Sequence, residues 1–296
     1  MWSVIIPTYN RLPILTKCLT ALEEQDFDQD YEVVVVDDGS TDGTIVFLQD
    51  HALDFPHVRL ILQEHQGAAI ARNTGIDAAR GETIVFIDSD LVVLPSFLSA
   101  HAAKLKDKDC CFSYGRVINT ANFENPTSES FKLTDFSAAF FATGNVAIGK
   151  KWLIAAGKFD PMFSQYGWED LELGVRLKKL GLKLIPAPEA VGYHWHPPFN
   201  LQQLPKLIEQ EKQRGRMGVL FYRKHPTWQV RMMIQRTPLH FILWGLLSLG
   251  GVLNERTLAP LLKFLIDRGR PQWALEVARI FLNWYNVQGV YENDIK

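Results

Sequence analysis

The chain is predicted to be an α/β protein: a mostly parallel sheet flanked by helices, followed by a helical C-terminal region. Three observations carry this. Strand-like and helix-like segments alternate over the first 90 residues. The strand-like segments are apolar runs, as expected for strands covered on both faces. Several of them end in polar or acidic residues. Alternation of this kind implies right-handed βαβ units.

In order, Ser3-Val-Ile-Ile-Pro-Thr reads as a buried strand, and Arg11–Glu24 places Leu12, Leu15, Leu19 and Leu22 at helical spacing. Glu32-Val-Val-Val-Val-Asp is a β-branched run closing on acids. Asp38-Gly-Ser-Thr-Asp-Gly is turn chemistry, with Ser40 or Thr41 placed to cap the next helix. Val58–Gln63 is a third strand, Gly67–Ala79 a helix of small residues, and Thr83-Ile-Val-Phe-Ile-Asp-Ser-Asp a fourth strand. From Cys111 to His196 the pattern loosens into short strands, loops and one helix near Asp170–Leu180. Beyond Pro197 four helical stretches follow: Leu201–Tyr222, Leu239–Leu253, Leu258–Arg268 and Pro271–Tyr285. The domain division is expected near residue 200.

Composition fits a folded globular chain: of 296 residues, 47% are hydrophobic and 22% charged, with net charge −2, which argues against disorder. The overall charge names no partner. Its distribution is uneven, because Lys206 to Arg236 holds eight Lys/Arg against two acids. Three cysteines (Cys18, Cys110 and Cys111) form no disulfide framework and no zinc spacing, which fits a reducing cytoplasm. The start, Met-Trp-Ser-Val-Ile-Ile-Pro, lacks a basic region and a cleavage site and reads as a first strand. The apolar run Leu239–Leu253 is shorter than the roughly 20 residues of a membrane span, so a buried or interfacial helix is expected there.

Parallel sheets bind ligands at the carboxyl ends of their strands, and Pro7–Asn10, Asp37–Asp38 and Asp88–Asp90 all lie at such ends. Asp88 and Asp90, two apart, point the same way from an extended strand. Two hard carboxylate oxygens suit Mg²⁺ or Mn²⁺ beside a diphosphate. D-x-D alone is a weak signal; its place beside two other polar strand ends strengthens it.

Val4-Ile-Ile-Pro-Thr-Tyr-Asn-Arg, Val33-Val-Val-Val-Asp-Asp-Gly-Ser-Thr-Asp-Gly-Thr, Gly67…Ala71-Arg-Asn-Thr-Gly and Ile87-Asp-Ser-Asp together resemble the inverting family 2 glycosyltransferases of the GT-A fold. A second block, Thr143-Gly-Asn-Val-Ala-Ile…Gly157-Lys-Phe-Asp and Gly167-Trp-Glu-Asp-Leu-Glu-Leu-Gly-Val-Arg-Leu, resembles their acceptor half. The likeness spans about residues 2–196. It implies a GT-A domain over 1–200, with a Rossmann-like nucleotide-sugar half (1–110) and an acceptor half (111–200), and leaves 201–296 as a helical extension.

The resemblance implies roles. Pro7, Thr8, Tyr9 and Asp38 would hold base and ribose, with Asp37 supporting the turn. Arg72 and Asn73 would border the nucleotide. Asp88 would contact ribose or metal, and Asp90 would ligate the metal, completed by His194 or His196, with His194 favoured. Asp170, then Glu169, is the candidate base. The implied donor is a UDP-sugar, the cofactor Mn²⁺ or Mg²⁺, and the acceptor a hydroxyl of a glycan or lipid-linked sugar in polysaccharide or glycolipid biosynthesis. Trp168 and Trp195 are candidates for stacking on sugar rings, and Glu172 with Arg176 for a surface ion pair.

Rival classes fit less well. A nucleotidyltransferase wants a glycine-rich basic loop where residues 7–15 have one Arg and no Gly. A dehydrogenase wants G-x-G-x-x-G after the first strand. A non-catalytic sugar-nucleotide or glycan-binding protein of the same fold is the remaining alternative, although both metal carboxylates and the candidate base are present. No nucleic-acid partner is expected. The basic stretch with the apolar run behind it (206–266) suggests either peripheral association with an anionic membrane at its cytoplasmic face, or a helical cap or dimer interface.

Overall fold

The computed structural model describes residues 1–132, 135 and 139–294. It falls into two compact units: Met1–Ser164 with Glu169–Pro197, and Gln165–Trp168 with Pro198–Lys296.

The first unit holds β1 (Trp2–Thr8), α1 (Leu12–Glu23), β2 (Tyr31–Asp37), α2 (Thr44–Asp50), β3 (Val58–Leu62), α3 (Ala68–Ala78), β4 (Thr83–Ile87), β5 (Leu91–Val93), α4 (Phe97–Leu105), β6 (Cys111–Thr120), β7 (Asn145–Gly149), α5 (Lys150–Ala155), α6 (Glu169–Lys179) and β8 (Lys183–Trp195). Its sheet runs β3-β2-β1-β4-β7-β6-β8-β5. The first four strands are parallel. β7 is antiparallel to both β4 and β6, β8 is parallel to β6, and β5 is antiparallel to β8. The α/β architecture is as expected, but the parallel character is confined to the nucleotide-side half and to the β6–β8 pair.

Period-two alternation explains why β1, β2 and β4 read as unbroken apolar runs. Val4, Ile6, Val33, Val35, Val85 and Ile87 pack toward Leu15, Leu19 and Leu22 of α1. Ile5, Val34, Val36, Ile84 and Phe86 join the opposite layer with Ile76, Phe159 and Leu173. The small residues of α3 have a steric cause: a methyl group at Gly75 would overlap Ile5.

Two local expectations are corrected. Ser40 and Thr41 do not cap α2; Asp42 Oδ1 accepts from the Thr44 N–H, while Ser40 Oγ accepts from the Asn10 N–H and the Thr41 N–H donates to Asn10 Oδ1. The acceptor half is not made of short strands alone, since β6 and β8 run 10 and 13 residues beside the five of β7.

β6 and β8 are interrupted by a register shift after Gly115. Beside it lies a buried polar network. Asn145 donates through Nδ2 to the Arg116 and Ala190 carbonyls, so its Oδ1 accepts from His101 Nε2, and His101 Nδ1 accepts from Ser113 Oγ. Burial pushes the His101 pKa down to about 4, keeping the ring neutral as this pattern requires. A methyl group at position 115 would overlap both the Asn145 amide and the Ala190 carbonyl. Gly115→Ala is therefore expected to cost about 1–3 kcal/mol, read as a lowered Tm. An unchanged Tm would show that the network yields.

The second unit holds α7 (Leu204–Lys224), α8 (Trp228–Met233), α9 (Pro238–Leu247), α10 (Ala259–Asp267) and α11 (Pro271–Asp294). Phe199, Leu204, Leu262, Ala274, Ala278 and Phe281 form its core. Trp168 belongs to this unit. It is buried, donates from Nε1 to the Arg214 carbonyl and packs near Phe221. That makes it a core residue and leaves no open ring face for stacking on a sugar. No helix among the described residues is long and apolar enough to cross a membrane.

Candidate active site

Topology brings the sequence-predicted acids to one edge. β7 reverses direction relative to β4, and β6 reverses it again, so β8 points the same way as β4 and its carboxyl end joins those of β1, β2 and β4. β5 then fixes the register: Leu91 pairs with His194, and the Trp195 N–H donates to the Asp90 carbonyl at 2.9 Å.

This register sets Asp88, Asp90 and His194 together, with one potential ligand atom from each within 4.8 Å of the others. His194 Nε2 lies 2.9 Å from Asp90 Oδ1, and Arg11 Nη1 lies 2.6 Å from Asp90 Oδ2. Burial works against charge on Asp90, but the hydrogen bond and charge of His194, with Arg11 and His196, hold its pKa down to about 2. For His194 burial opposes the charge, and Asp90 outweighs it and raises the pKa. Two carboxylates and an imidazole form a donor set fit for Mn²⁺ or Mg²⁺. His196 lies against His194, ring centroids 4.1 Å apart and planes tilted by 58°, and stands outside the three-residue cluster. Trp195 packs edge-on against Phe123.

Arg72, on α3, is buried and bridges this cluster to the next. Its Nη2 donates to Asp88 Oδ1 and its Nη1 to Glu169 Oε1, each at 3.0 Å. Glu169 is thereby held in place. Asp170 beside it accepts from the Leu171 N–H. Burial first, then the Glu169 charge, pushes the Asp170 pKa up to about 7, with Arg72 opposing. A carboxylate with that proton affinity suits a base at neutral pH. Glu172 and Arg176, expected as a surface pair, are instead drawn inward: Glu172 is buried and receives two guanidinium nitrogens, while Arg176 Nη1 also donates to the Ala156 carbonyl.

At the β1 and β2 ends, Thr8 pairs with Asp37 across the strands, and Thr8 Oγ1 and Asp37 Oδ2 are buried without a partner among the described residues. Asp37 Oδ1 accepts from Gly39 and Ser40 N–H and so braces the turn. Arg72 Nε and Trp195 Nε1 likewise lack a partner. Buried polar atoms normally find partners; three of these orphans stand at strand ends and the fourth on α3, positions open to a polar ligand. Pro7 sits within β1, paired with Val36.

Asp38 is more committed than expected. Its Oδ1 accepts from Gln63 Nε2 and the Gln66 N–H, and its Oδ2 from the Gly67 N–H with His65 Nδ1 at 2.8 Å. A base N–H would have to displace one of these donors. Asn73 is engaged elsewhere: its amide donates to the Phe159 carbonyl and accepts from the Phe159 N–H. Tyr9 is exposed and stacks on His65 at 4.2 Å.

His65 and Arg11 were missed as site residues. The signal for Arg11 is its place directly after the first strand-end motif; His65 sits in an irregular loop that offers none.

The family model described as Glycosyl transferase family 2 matches residues 3–165. An uncharacterized glycosyltransferase, YfnE, of Bacillus subtilis is 27% identical over 260 residues, covering 68% of this chain and 66% of that protein. The hyaluronan synthase of Pasteurella multocida is 30% identical over 241 residues, covering 66% of this chain and 24% of that protein. The chain thus spans less than two thirds of the length of either relative. Among solved structures, the mannosyltransferase PcManGT from Pyrobaculum calidifontis in complex with GDP-Man and Mn²⁺ superposes with a TM-score of 0.61 at 22% identity, covering 99% of this chain and 86% of that one.

Proposed function

This chain belongs to glycosyl transferase family 2, and we propose that it moves a sugar from a nucleoside diphosphate donor, UDP-sugar first, to a hydroxyl of a growing glycan or lipid-linked sugar, with inversion at the anomeric carbon. One observation carries this reading: a metal-competent cluster (Asp88, Asp90, His194) at the carboxyl edge of the sheet, joined through Arg72 to a carboxylate pair, one of which has a raised pKa.

A divalent ion held by Asp88, Asp90 and His194 would neutralise the charge that grows on the departing diphosphate. The chain's own residues do the rest. The strand-end residues Pro7, Thr8 and Tyr9 border the nucleoside, with Asp38 reaching its base by releasing a loop donor. Arg72 fixes Asp88 and Glu169 relative to each other. Asp170 takes the acceptor proton as the acceptor oxygen bonds to the anomeric carbon, while the bond from that carbon to the diphosphate oxygen breaks and its electron pair leaves with the nucleoside diphosphate. Names among the relatives, such as hyaluronan synthase, favour polysaccharide assembly.

The test is release of nucleoside diphosphate from a panel of UDP- and GDP-sugars. Chelation is expected to lower the rate by about 100-fold or more, and added Mn²⁺ to restore it. Release undiminished by chelator would remove the metal from the account. Binding of a donor without release or transfer across acceptors would favour the non-catalytic alternative.

A further inference from the structure

Helix α9 has no charged residue and is apolar nearly all round, from Pro238 to Leu247. Such a helix is ordinarily buried. Here no residue of α9 is buried, so of the two readings of Leu239–Leu253, a buried or an interfacial helix, the buried one is corrected.

Only one side is engaged within its own unit. Phe241 packs on Trp284 and Tyr291 of α11, Gly245 faces Trp284, and Ser248 just beyond the helix is buried. These lie at i, i+4 and i+7. Leu239, Ile242, Leu243, Leu246 and Leu247 occupy the opposite arc at about 100° per residue, and all five are exposed, Leu239 and Leu246 to 69% and 70%. Leu249 and Val252 in the following turn are exposed as well, as are Trp228, Met232 and Met233 of α8. Exposed apolar side chains in this number signal an interaction surface.

Charge indicates the partner. From Arg223 to Arg270 there are eight Lys/Arg against two acids, Glu255 and Asp267. The basic residues flank α9 and are absent from it. Two copies of this face would set like charges against each other, whereas an anionic surface meets both the basic flanks and the apolar centre. Ten residues of helix reach about 15 Å, half the roughly 30 Å bilayer core, which suits lying in the interface.

We propose that α9, with the turn after it and α8, seats in the interface of an anionic lipid bilayer without crossing it. The inference does not depend on the chemistry at Asp88, Asp90 and Asp170, so either can fail alone.

The full chain should be floated with vesicles of phosphatidylcholine alone and with roughly 30% phosphatidylglycerol. Binding is expected to the anionic vesicles, weakening as salt rises toward about 0.5 M. Leu239→Gln with Leu246→Gln keeps good helix formers at exposed positions and is expected to weaken binding about tenfold or more, with Tm and donor binding unchanged. Arg256→Glu with Arg268→Glu is expected to remove the preference for anionic lipid. Absence of binding at low salt would overturn the proposal. So would binding unaffected by both pairs, or a dimer by light scattering that the leucine pair dissociates, since a second copy would then occupy this face.

Discussion

Asp170→Asn is expected to slow transfer by about 10²–10⁴ with donor binding intact. The substitution preserves shape and the oxygen that accepts from the Leu171 N–H, but removes the ability to take a proton. The wild-type rate should fall as pH drops through the raised pKa of Asp170, and the variant should lose that limb. Stability separates this role from a plain helix-start carboxylate. The folded-state pKa lies above the ordinary aspartate value, so the contribution to stability is complete below the unfolded pKa and is lost as pH rises through the folded one. Above neutrality the variant should therefore melt at or above the wild-type temperature. A lowered Tm with little loss of rate would mean that Asp170 only supports the first turn of α6.

Asp90→Ala is expected to lower transfer by about 10³-fold or more, because charge stabilisation by a bound metal is worth several kcal/mol. Asp90 is the centre of its cluster: His194 and Arg11 both contact it, and its carboxyl is held ionised well below neutral pH. Removing it leaves the Arg11 guanidinium without its counter-charge as well as deleting a ligand. Arg11→Ala, which removes a half-exposed neighbour and leaves the ligand set whole, should have the smaller effect. A rate equal to wild type in Asp90→Ala would place the metal, or the reaction, elsewhere.

The nucleotide-side half was legible because its information is local. Strands buried on both faces appear as unbroken β-branched runs, and a parallel sheet converts strand order into a shared edge of polar ends. The acceptor half was harder to read. Pro186, Pro188 and Gly192 break the strand signature of β8, and the register shift beside Gly115, which leaves Pro188, Glu189 and Ala190 out of the pairing, depends on contacts distant in sequence. The reversal through β7 is a matter of topology, so sequence spacing gave His194 and His196 equal standing; pairing with β5 brings His194 into the cluster. Residues in loops fared worst. His65 takes up a lone pair of Asp38, and Phe159 occupies the amide of Asn73, and neither contact leaves a trace in local pattern. Helical spacing found the Glu172–Arg176 pair but not its burial against the Ala156 carbonyl, and the apolar character of α9 was plain while its exposure was not.

The central claim is that Asp88, Asp90 and His194 hold a divalent ion that grips a nucleoside diphosphate. Calorimetric titration of UDP and GDP into wild type and Asp90→Ala, with and without Mn²⁺, tests it most directly. The account predicts binding that requires the metal in wild type and is lost in the variant. Equal binding without metal, unaffected by Asp90→Ala, would contradict it.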